Sequence, residues 1–539
     1  MRDGMLRART AMTAGFVLAI TLVQAGIRAD LHGGDWLRDQ IERGRLEDLR
    51  WPGFARDRAA VREFYASNGF ELAWIRGNQP TAQALALISS LRSARTKGLD
   101  PEYYDGSRWA ARLSEIQQGA NDAVTLSRFD LELTIAAMRF VSDLDSGRAN
   151  PGIFPFDSEV RGSAKLAKWI HDKLQYAPAS PEAIAAAIQS LEPPFPAYRA
   201  TEAALERYAR LVAAGQPDAF AATKRPVKPG DPYSDAPRLY GFLRQLGDAP
   251  QTGIAPENYS GELVAAVEHF QERHGLPSDG ILGPATFRAL NVPLARRVKQ
   301  IELTLERWRW LPRQFEHPPL IVNVPRFEVV ALDRDNRVAL RMKVIVGKAY
   351  GHKTPIFAAQ MNAVIFHPWW EVPPSIARKE LQPKAAKDPT YFARNHYESV
   401  PAPGGGFRIR QQPGPDNALG FIKFVFPNRF NVYMHGTPAT ELFSQTRRDF
   451  SHGCIRVEYP ERLAEWVLDD TAGWPPERIR AAIEDTKTLQ VTLSRPIPVL
   501  IVYSTAIAGE DGVVRFFDDI YGYDAQLIRT LAEGRRTSM

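Results

Sequence analysis

The one cysteine of the chain lies in the stretch Ser451-His452-Gly453-Cys454-Ile455-Arg456-Val457. A free cysteine usually packs as a small hydrophobic group, but histidine, glycine and arginine are unsuitable neighbours for that role. His435 stands upstream, in residues 433–437, and an imidazole near a thiol can take its proton. The pattern predicts that Cys454 is a catalytic nucleophile and that His435 is its base.

Composition and charge describe an ordinary globular protein. Hydrophobic residues make up 44% of the 539 residues and charged residues 24%, and the net charge is +6. This length suggests about three or four domains at ~150 residues each. Lysine and arginine do not form the concentrated stripe that nucleic-acid binding requires, so we expect no nucleic-acid partner.

Residues 1–29 have the pattern of a secretory signal. Three arginines precede the apolar run 11–26, which is shorter than the ~20 residues that span a bilayer. The sequence leaves open cleavage near Ala25 or Ala29, or retention as an amino-terminal anchor. We therefore expect an exported protein that touches a membrane only through this segment, if it is uncleaved.

The first half of the chain is predicted to be helical. Residues 35–225 repeat apolar side chains at helical spacing, which predicts a helical scaffold domain. Residues 234–292 contain turn pairs within 275–286 between helical segments, and they resemble the three-helix peptidoglycan-binding module. A helical spacer is the alternative for this unit. A linker helix is predicted for 293–318.

Residues 319–505 change to short β-branched strands with few helices. This pattern predicts a β-rich barrel or sandwich, so the fold class is α+β and multidomain. The insertion 373–411 has helical character at Ser375–Leu381 and a glycine run at 404–406, and we expect it to be a lid over the site. Residues 506–539 are expected to be a carboxy-terminal tail.

Many short motifs within 319–505 resemble, in order, the L,D-transpeptidase family with its YkuD-type catalytic domain. His367 and Gly436 depart from the common pattern, which often has asparagine and aspartate there. The domain order is similar to that of large Gram-negative members, which implies a periplasmic location. The motifs are Val346-Gly347-Lys348, residues 368–376, residues 412–420, residues 435–438 and residues 451–457.

The resemblance implies that the protein cross-links peptidoglycan and so acts in cell-wall organisation and cell shape. Cys454 would attack the carbonyl between the third stem residue and the terminal D-alanine, and form a thioester. An amine of a second stem would then resolve it. His435 would move the protons, the Gly436 carbonyl would orient the imidazole, and carbapenems would acylate the thiol.

Four further residues are candidates for positioning the substrate. The backbone N–H groups of Gly453 and Cys454 are predicted oxyanion donors, and the Tyr433 hydroxyl could add to them. Arg456 either holds a stem carboxylate or braces the loop. His452 either contacts the thiol or fixes the loop, and the loop-fixing role is favoured over that of base.

Metals and cofactors are not expected, because the histidines form no motif with ligand spacing. The expected partners are stem peptides, as donor and acceptor, together with other cell-wall synthesis enzymes. Two alternatives to transfer stay open. The same thiol could pass the acyl group to water, as a carboxypeptidase or endopeptidase, or the protein could be a non-catalytic wall-binding scaffold.

Overall fold

The computed structural model describes residues 34–119, 122–150, 163–402, 404–509 and 511–536. The predicted signal or anchor segment, residues 1–29, lies outside these ranges. Within them, no helix combines the length and the apolar character needed to cross a membrane.

The amino-terminal region is helical, as predicted. Its central helix, of 24 residues, is buried along most of its length, and the other helices and a short hairpin pack around it in one hydrophobic core. The elements are α1 (34–43), α2 (Arg58–Ser67), β1 (Ile75–Arg76), β2 (Gln79–Pro80), α3 (Ala82–Arg92), α4 (Trp109–Gln117), the central α5 (Ala123–Ser146), α6 (Ser163–Ile170) and α7 (Pro181–Gln189).

A second hydrophobic core contains the small module and the helices on either side of it. Tyr198 and Leu205 of α8 pack with Leu239 and Phe270 of the module, although the sequence placed α8 in the scaffold domain. This region comprises α8 (Pro196–Ala214), α9 (Ala236–Leu246), α10 (Glu262–Arg273), α11 (Pro284–Leu290) and α12 (Leu294–Trp308).

The β-rich domain is built on a nine-stranded sheet that closes on itself. The strand order is β12-β5-β13-β11-β10-β6-β14-β3-β4, and β4 pairs back with β5. The strands and flanking helices are β3 (Leu320–Asn323), β4 (Glu328–Leu332), β5 (Val338–Gly347), β6 (Phe357–Phe366), β10 (Ile422–Val425), β11 (Met434–His435), β12 (Asp449–Ser451), β13 (Ile455–Val457), α16 (Pro460–Leu468), α17 (Pro476–Glu484) and β14 (Leu489–Val502).

The insertion between β6 and β10 forms a small unit with its own apolar core. Its three strands pair in the order β7-β9-β8, and Val372, Ile376, Leu381 and Ile409 pack together inside it. The elements are β7 (Trp370–Glu371), α13 (Pro374–Ile376), a π-helical turn (Ala377–Leu381), α14 (Gln382–Lys387), α15 (Tyr391–Arg394), β8 (Tyr397–Pro401) and β9 (Phe407–Gln411).

The carboxy-terminal segment is folded into the body of the protein. It consists of a hairpin of β15 (Ala506–Ala508) and β16 (Val514–Phe516), followed by α18 (Tyr523–Arg536). Phe516 of the hairpin lies in the core of the small module. The Arg307 guanidinium of α12 donates to Asp524 of α18 at 2.6 Å. Tyr521 and Leu527 lie in the barrel core, so this segment connects the module to the catalytic half.

Candidate active site

Two short parallel strands position the candidate base. Met434 of β11 pairs with Ile455 of β13, and His435 pairs with Arg456. Met434 and Ile455 are buried in the barrel core. Because successive side chains of a strand point to opposite faces, His435 and Arg456 lie together on the other face of the sheet.

The nucleophile lies one residue before β13 and on the same face. The Ile455 N–H donates to the Tyr433 carbonyl at 3.1 Å, which places Cys454 level with Tyr433. The backbone N–H and the hydroxyl of Tyr433 both form hydrogen bonds with the Cys454 sulfur. The half-buried thiol therefore stands diagonally across from the imidazole of His435.

The His435 ring has a defined tautomer. Its Nδ1 lies 2.5 Å from the carbonyl oxygen of Gly436. Since a carbonyl only accepts, Nδ1 carries the hydrogen and Nε2 keeps the free lone pair of a base. The sequence assigned this orienting role to Gly436, and the structure places its carbonyl where that role requires it.

The thiol and the imidazole are both held neutral. Burial, with the nearby Arg456 and Lys423 cations, lowers the pKa of His435 to about 3. Burial also raises the pKa of Cys454, although Tyr433, Lys423 and Arg456 act in the opposite direction. The sequence favoured a thiolate beside the imidazole, but this environment keeps the proton on sulfur until the attack itself.

The loop before Cys454 is fixed by its own hydrogen bonds. Gly453 has a φ of +118°, a conformation that favours glycine. Its N–H donates to the Ser451 hydroxyl at 3.1 Å, and that hydroxyl donates to the Cys454 carbonyl at 2.5 Å. This geometry does not support the predicted oxyanion role of the Gly453 N–H, because that donor already has an acceptor. The Tyr433 hydroxyl is likewise bonded to the Cys454 sulfur, so the Cys454 N–H is the predicted donor that remains.

Residues that the sequence analysis did not place in the site also support this loop through hydrogen bonds. The Thr354 hydroxyl accepts from the Gly347 N–H and donates to the Gly453 carbonyl, both at 2.8 Å. The Tyr521 hydroxyl donates to the Gly347 carbonyl at 2.5 Å and accepts from the Thr354 N–H at 3.2 Å. A Cβ on Gly347 would lie 1.9 Å from the His352 carbonyl, so only glycine fits there.

His452 faces the insertion. Its Nε2 lies 2.5 Å from a carboxylate oxygen of Glu380 in the π-helical turn, and its ring contacts the edge of His352 with centroids 4.7 Å apart. This placement favours the loop-fixing alternative over a role as base. Trp370 of β7 adds a contact from the insertion to the site, because its side chain hydrogen-bonds to the Tyr433 hydroxyl.

Two cations lie on the face of the sheet that carries the thiol. Lys423 pairs with His435 across β10 and β11, and its Nζ is 4.0 Å from the centroid of the Tyr433 ring. The Nε of Arg456 is buried and has no hydrogen-bond partner among the described residues. Sequence reasoning gave no role to Lys423, although its position in an alternating strand opposite His435 could have indicated one.

His367, one of the two departures from the family pattern, has a structural contact. Its Nε2 lies 2.9 Å from the Ile483 carbonyl oxygen. This contact joins the start of the insertion to the end of α17.

Three regions of the chain match known families. Residues 319–487 match the model of the L,D-transpeptidase catalytic domain. This part of the chain is similar to L,D-transpeptidase catalytic domains. Residues 59–205 match a model described as "Scaffold domain", and residues 239–290 match one described as "Putative peptidoglycan binding domain". The predicted fold class, with helical region, binding module and β-rich catalytic domain, is thereby confirmed.

One curated relative is a Haemophilus influenzae protein named "Putative L,D-transpeptidase". It is 31% identical over 245 residues, which are 42% of this chain and 49% of the relative. The chain thus spans about half the length of the curated relative it matches.

Two solved structures of L,D-transpeptidases were also found as matches to this chain. The one from Xylanimonas cellulosilytica is 15% identical, with a TM-score of 0.18, and covers 52% of this chain and all of its own. The one from Stackebrandtia nassauensis is 14% identical, with a TM-score of 0.22, and the match covers 52% of this chain and 97% of that structure. These scores are too low to support a statement about the fold.

Proposed function

We propose that the protein is an L,D-transpeptidase that cross-links peptidoglycan through a thioester on Cys454. One observation carries the proposal. Cys454 and His435 share one face of the sheet, and His435 Nδ1 is committed to the Gly436 carbonyl, which leaves Nε2 as the base. The secretory pattern of residues 1–29 supports a periplasmic site of action.

The first half-reaction releases D-alanine from a tetrapeptide donor. As the sulfur attacks the carbonyl carbon of the third residue, the thiol proton passes to Nε2 of His435 and the C–S bond forms. The Cys454 N–H is the proposed donor to the developing oxyanion, and the Tyr433 hydroxyl would turn to it from the sulfur as the C–S bond forms. The intermediate then breaks the C–N bond, and His435 returns the proton to the leaving amine of D-alanine.

The second half-reaction regenerates the thiol. An amine of a second stem attacks the thioester carbonyl, a new amide bond forms and the C–S bond breaks. His435 takes a proton from the attacking nitrogen and delivers it to sulfur. A neutral imidazole serves both steps, because each begins with acceptance of a proton.

Lys423 and Arg456 suit the carboxylates of the stem peptide. Both cations lie on the face that carries Cys454, and the buried Nε of Arg456 has a free hydrogen among the described residues. A carboxylate of the donor there would both satisfy this hydrogen and fix the register of the scissile bond. The module at 239–290 would hold the polymer close to the site.

The insertion is proposed to act as a lid. The Glu380–His452 contact and the bond between Trp370 and Tyr433 join it to the nucleophile loop and to the strand beside it. Its separate apolar core lets it move as a unit. Shortening 373–411 should reduce turnover and leave the melting temperature of the barrel unchanged; unchanged turnover would contradict the proposal.

The deciding experiment is incubation with tetrapeptide muropeptides, followed by mass spectrometry of the products. Transfer gives cross-linked dimers and free D-alanine, and Cys454→Ala gives neither. Tripeptides without dimers would mean that water is the acceptor, and the proposed transfer would be wrong. Separate reactions with a stem amine or a free D-amino acid identify the acceptor.

A carbapenem tests the non-catalytic alternative. If a carbapenem acylates the wild-type protein at neutral pH but does not acylate Cys454→Ala, the protein is not a non-catalytic wall-binding scaffold. If intact protein forms no adduct, the proposed activated thiol is contradicted.

A further inference from the structure

A cavity of about 570 Å³ lies on the outside of the catalytic barrel, where β3, β4 and β14 face the ends of α8 and α12 and the β15–β16 hairpin. Ligand sites in proteins typically enclose roughly 300–1,000 Å³. The lining includes neither Cys454 nor His435, nor any residue of the insertion 373–411. This cavity is therefore separate from the candidate active site.

Part of the cavity lining is apolar. Val330 and Leu332 of β4 alternate with residues that face the barrel core, so they point outward and form the floor with Ile321 of β3. Aromatic rings form the opposite wall. Phe195 lies between Trp308 and Phe315, with ring centroids 5.5 and 5.9 Å away.

The cavity lining is also basic. It contains the Arg326, Arg341 and Arg515 guanidiniums, and Arg341 pairs directly with Val330 across β5 and β4. Glu328 pairs with Arg326 at 3.1 Å and with Arg341 at 2.7 Å, and Asp511 pairs with Arg515 at 3.1 Å. Burial, together with the nearby guanidiniums, lowers the pKa of Arg326 to about 10. An additional anion beside these guanidiniums would offset the unbalanced positive charge.

Arg307 adds positive charge to the cavity wall. Its side chain is buried, lines the cavity and donates from Nη1 to Asp524. Its guanidinium carbon also lies 5.3 Å from the centroid of the Tyr503 ring. Its Nε and Nη2 are buried and have no hydrogen-bond partner among the residues that the structure describes.

We propose that this cavity binds a single-chain anionic amphiphile, with its acidic head among Arg307, Arg326 and Arg341 and its acyl chain along Ile321 and Val330. The floor from Glu328 to Leu332 is four residue steps long, about 13 Å at the rise of a strand. That length suits a medium acyl chain. Peptidoglycan has no long apolar segment and does not match the aromatic wall.

The test is equilibrium binding of dodecanoate to the full-length protein below the micelle concentration, measured by isothermal titration calorimetry and by the change in tryptophan fluorescence, with Trp308→Phe as the variant that assigns the signal. We expect one saturable site, with affinity at least tenfold higher than for dodecyltrimethylammonium, which has the opposite charge, or for acetate, which has no chain. Lysophosphatidylglycerol compares a lipid source with a free fatty acid. Cys454→Ala should bind dodecanoate with unchanged affinity.

Two variants locate the binding. Val330→Trp fills the middle of the cavity and should reduce dodecanoate affinity more than tenfold, with its fold checked by circular dichroism. Arg326→Gln should weaken dodecanoate about tenfold and leave binding of dodecanol unchanged. Arg334→Gln is the matched control, because this arginine is exposed and lies outside the cavity.

Three results would overturn the proposal. They are the absence of saturable dodecanoate binding, equal affinity for the cationic amphiphile, and binding that neither Val330→Trp nor Arg326→Gln changes. Loss of binding in Cys454→Ala would instead place the amphiphile in the active site, and would also contradict it. None of these outcomes depends on transpeptidation, so the cavity and the proposed reaction stand or fall separately.

Discussion

At the scale of single residues, the reactive pair differs from a preformed thiolate and imidazolium. The imidazole of His435 is only 4% exposed, and its pKa is lowered to about 3. The identities of Cys454, His435 and Gly436 could be predicted from short motifs. Their protonation states could not, because burial and the approach of Lys423 depend on strands that are distant in sequence.

The pH dependence of acylation follows from these pKa directions. Because the pKa of His435 is lowered, its Nε2 becomes protonated in bulk solution only at more acidic pH. The imidazole therefore stays neutral, and able to act as a base, as the pH falls to 5. The second-order rate of carbapenem acylation should lack an acid limb near 6.5, the ordinary histidine value. It should rise only towards alkaline pH, where the raised thiol pKa is reached.

The measurement is the rate of adduct formation by mass spectrometry from pH 4 to 9. His435→Asn is the control and should slow acylation by roughly 10²–10⁴-fold at neutral pH. A half-maximal rate near pH 6.5 that disappears in His435→Asn would show that the imidazole titrates normally, and would refute the prediction.

At the scale of secondary-structure elements, helices were easier to predict than strands. The helical spacing of 35–225 is borne out by α5, whereas β14 is a single strand of 14 residues in a region for which only short strands were predicted. The strand continues because its pairing with β6 shifts register between Thr492 and Ile497, a bulge that sequence does not reveal.

The β6 strand and the insertion hairpin were also missed as elements. The strand β6 (Phe357–Phe366) pairs with both β10 and β14. This central position follows from the closed topology of the sheet, and the residue pattern of β6 alone does not indicate it. In the insertion, the glycine run at 404–406 suggested a flexible loop but joins two paired strands. Local sequence reports turns better than it reports the partners of a strand.

The contact between the insertion and the nucleophile loop can be tested through Glu380. Glu380→Gln removes the charge that pairs with His452 and should loosen the insertion. Amide hydrogen exchange of residues 374–411 should become faster, and the KM for the tetrapeptide should rise several-fold. Glu398→Gln is the matched control, since Glu398 pairs with Arg410 inside the insertion. Equal exchange in wild type and Glu380→Gln would rule out a restraining contact.

At the scale of the whole molecule, the predicted domains share cores and hydrogen bonds. Motif matching assigned residues to domains, but it could not show that α8 packs with the small module or that the final segment joins that module to the barrel. Such packing depends on tertiary contacts, and the Arg307–Asp524 contact of the final segment joins residues 217 positions apart.

Phe516 tests whether the carboxy-terminal hairpin is part of a core. Its ring is 1% exposed and lies 5.2 Å from the ring of Tyr208. Phe516→Ala should lower the free energy of unfolding of the module region by about 3–5 kcal/mol, measured by denaturant titration. Phe407→Ala, at a ring that is 77% exposed, should change it little. Equal stability of the two variants would mean that the hairpin is not part of this core.

Tyr521 connects the end of the chain to the catalytic loop. Tyr521→Phe removes the bonds to Gly347 and Thr354 and should lower kcat about tenfold, with KM nearly unchanged, because the thiol is less well positioned. Tyr350→Phe, at an exposed tyrosine, serves as the control. A Tyr521→Phe enzyme with wild-type kcat would show that the loop does not need this support.

The position of Tyr521 also bears on biosynthesis. After Cys454 and His435 have been synthesised, the ribosome must add some 67 further residues (454 to 521) before Tyr521, which supports the catalytic loop, is present. A prematurely terminated or proteolytically clipped product would carry both reactive groups yet lack this brace. Full chemical competence would thus be acquired only after Tyr521 has been synthesised.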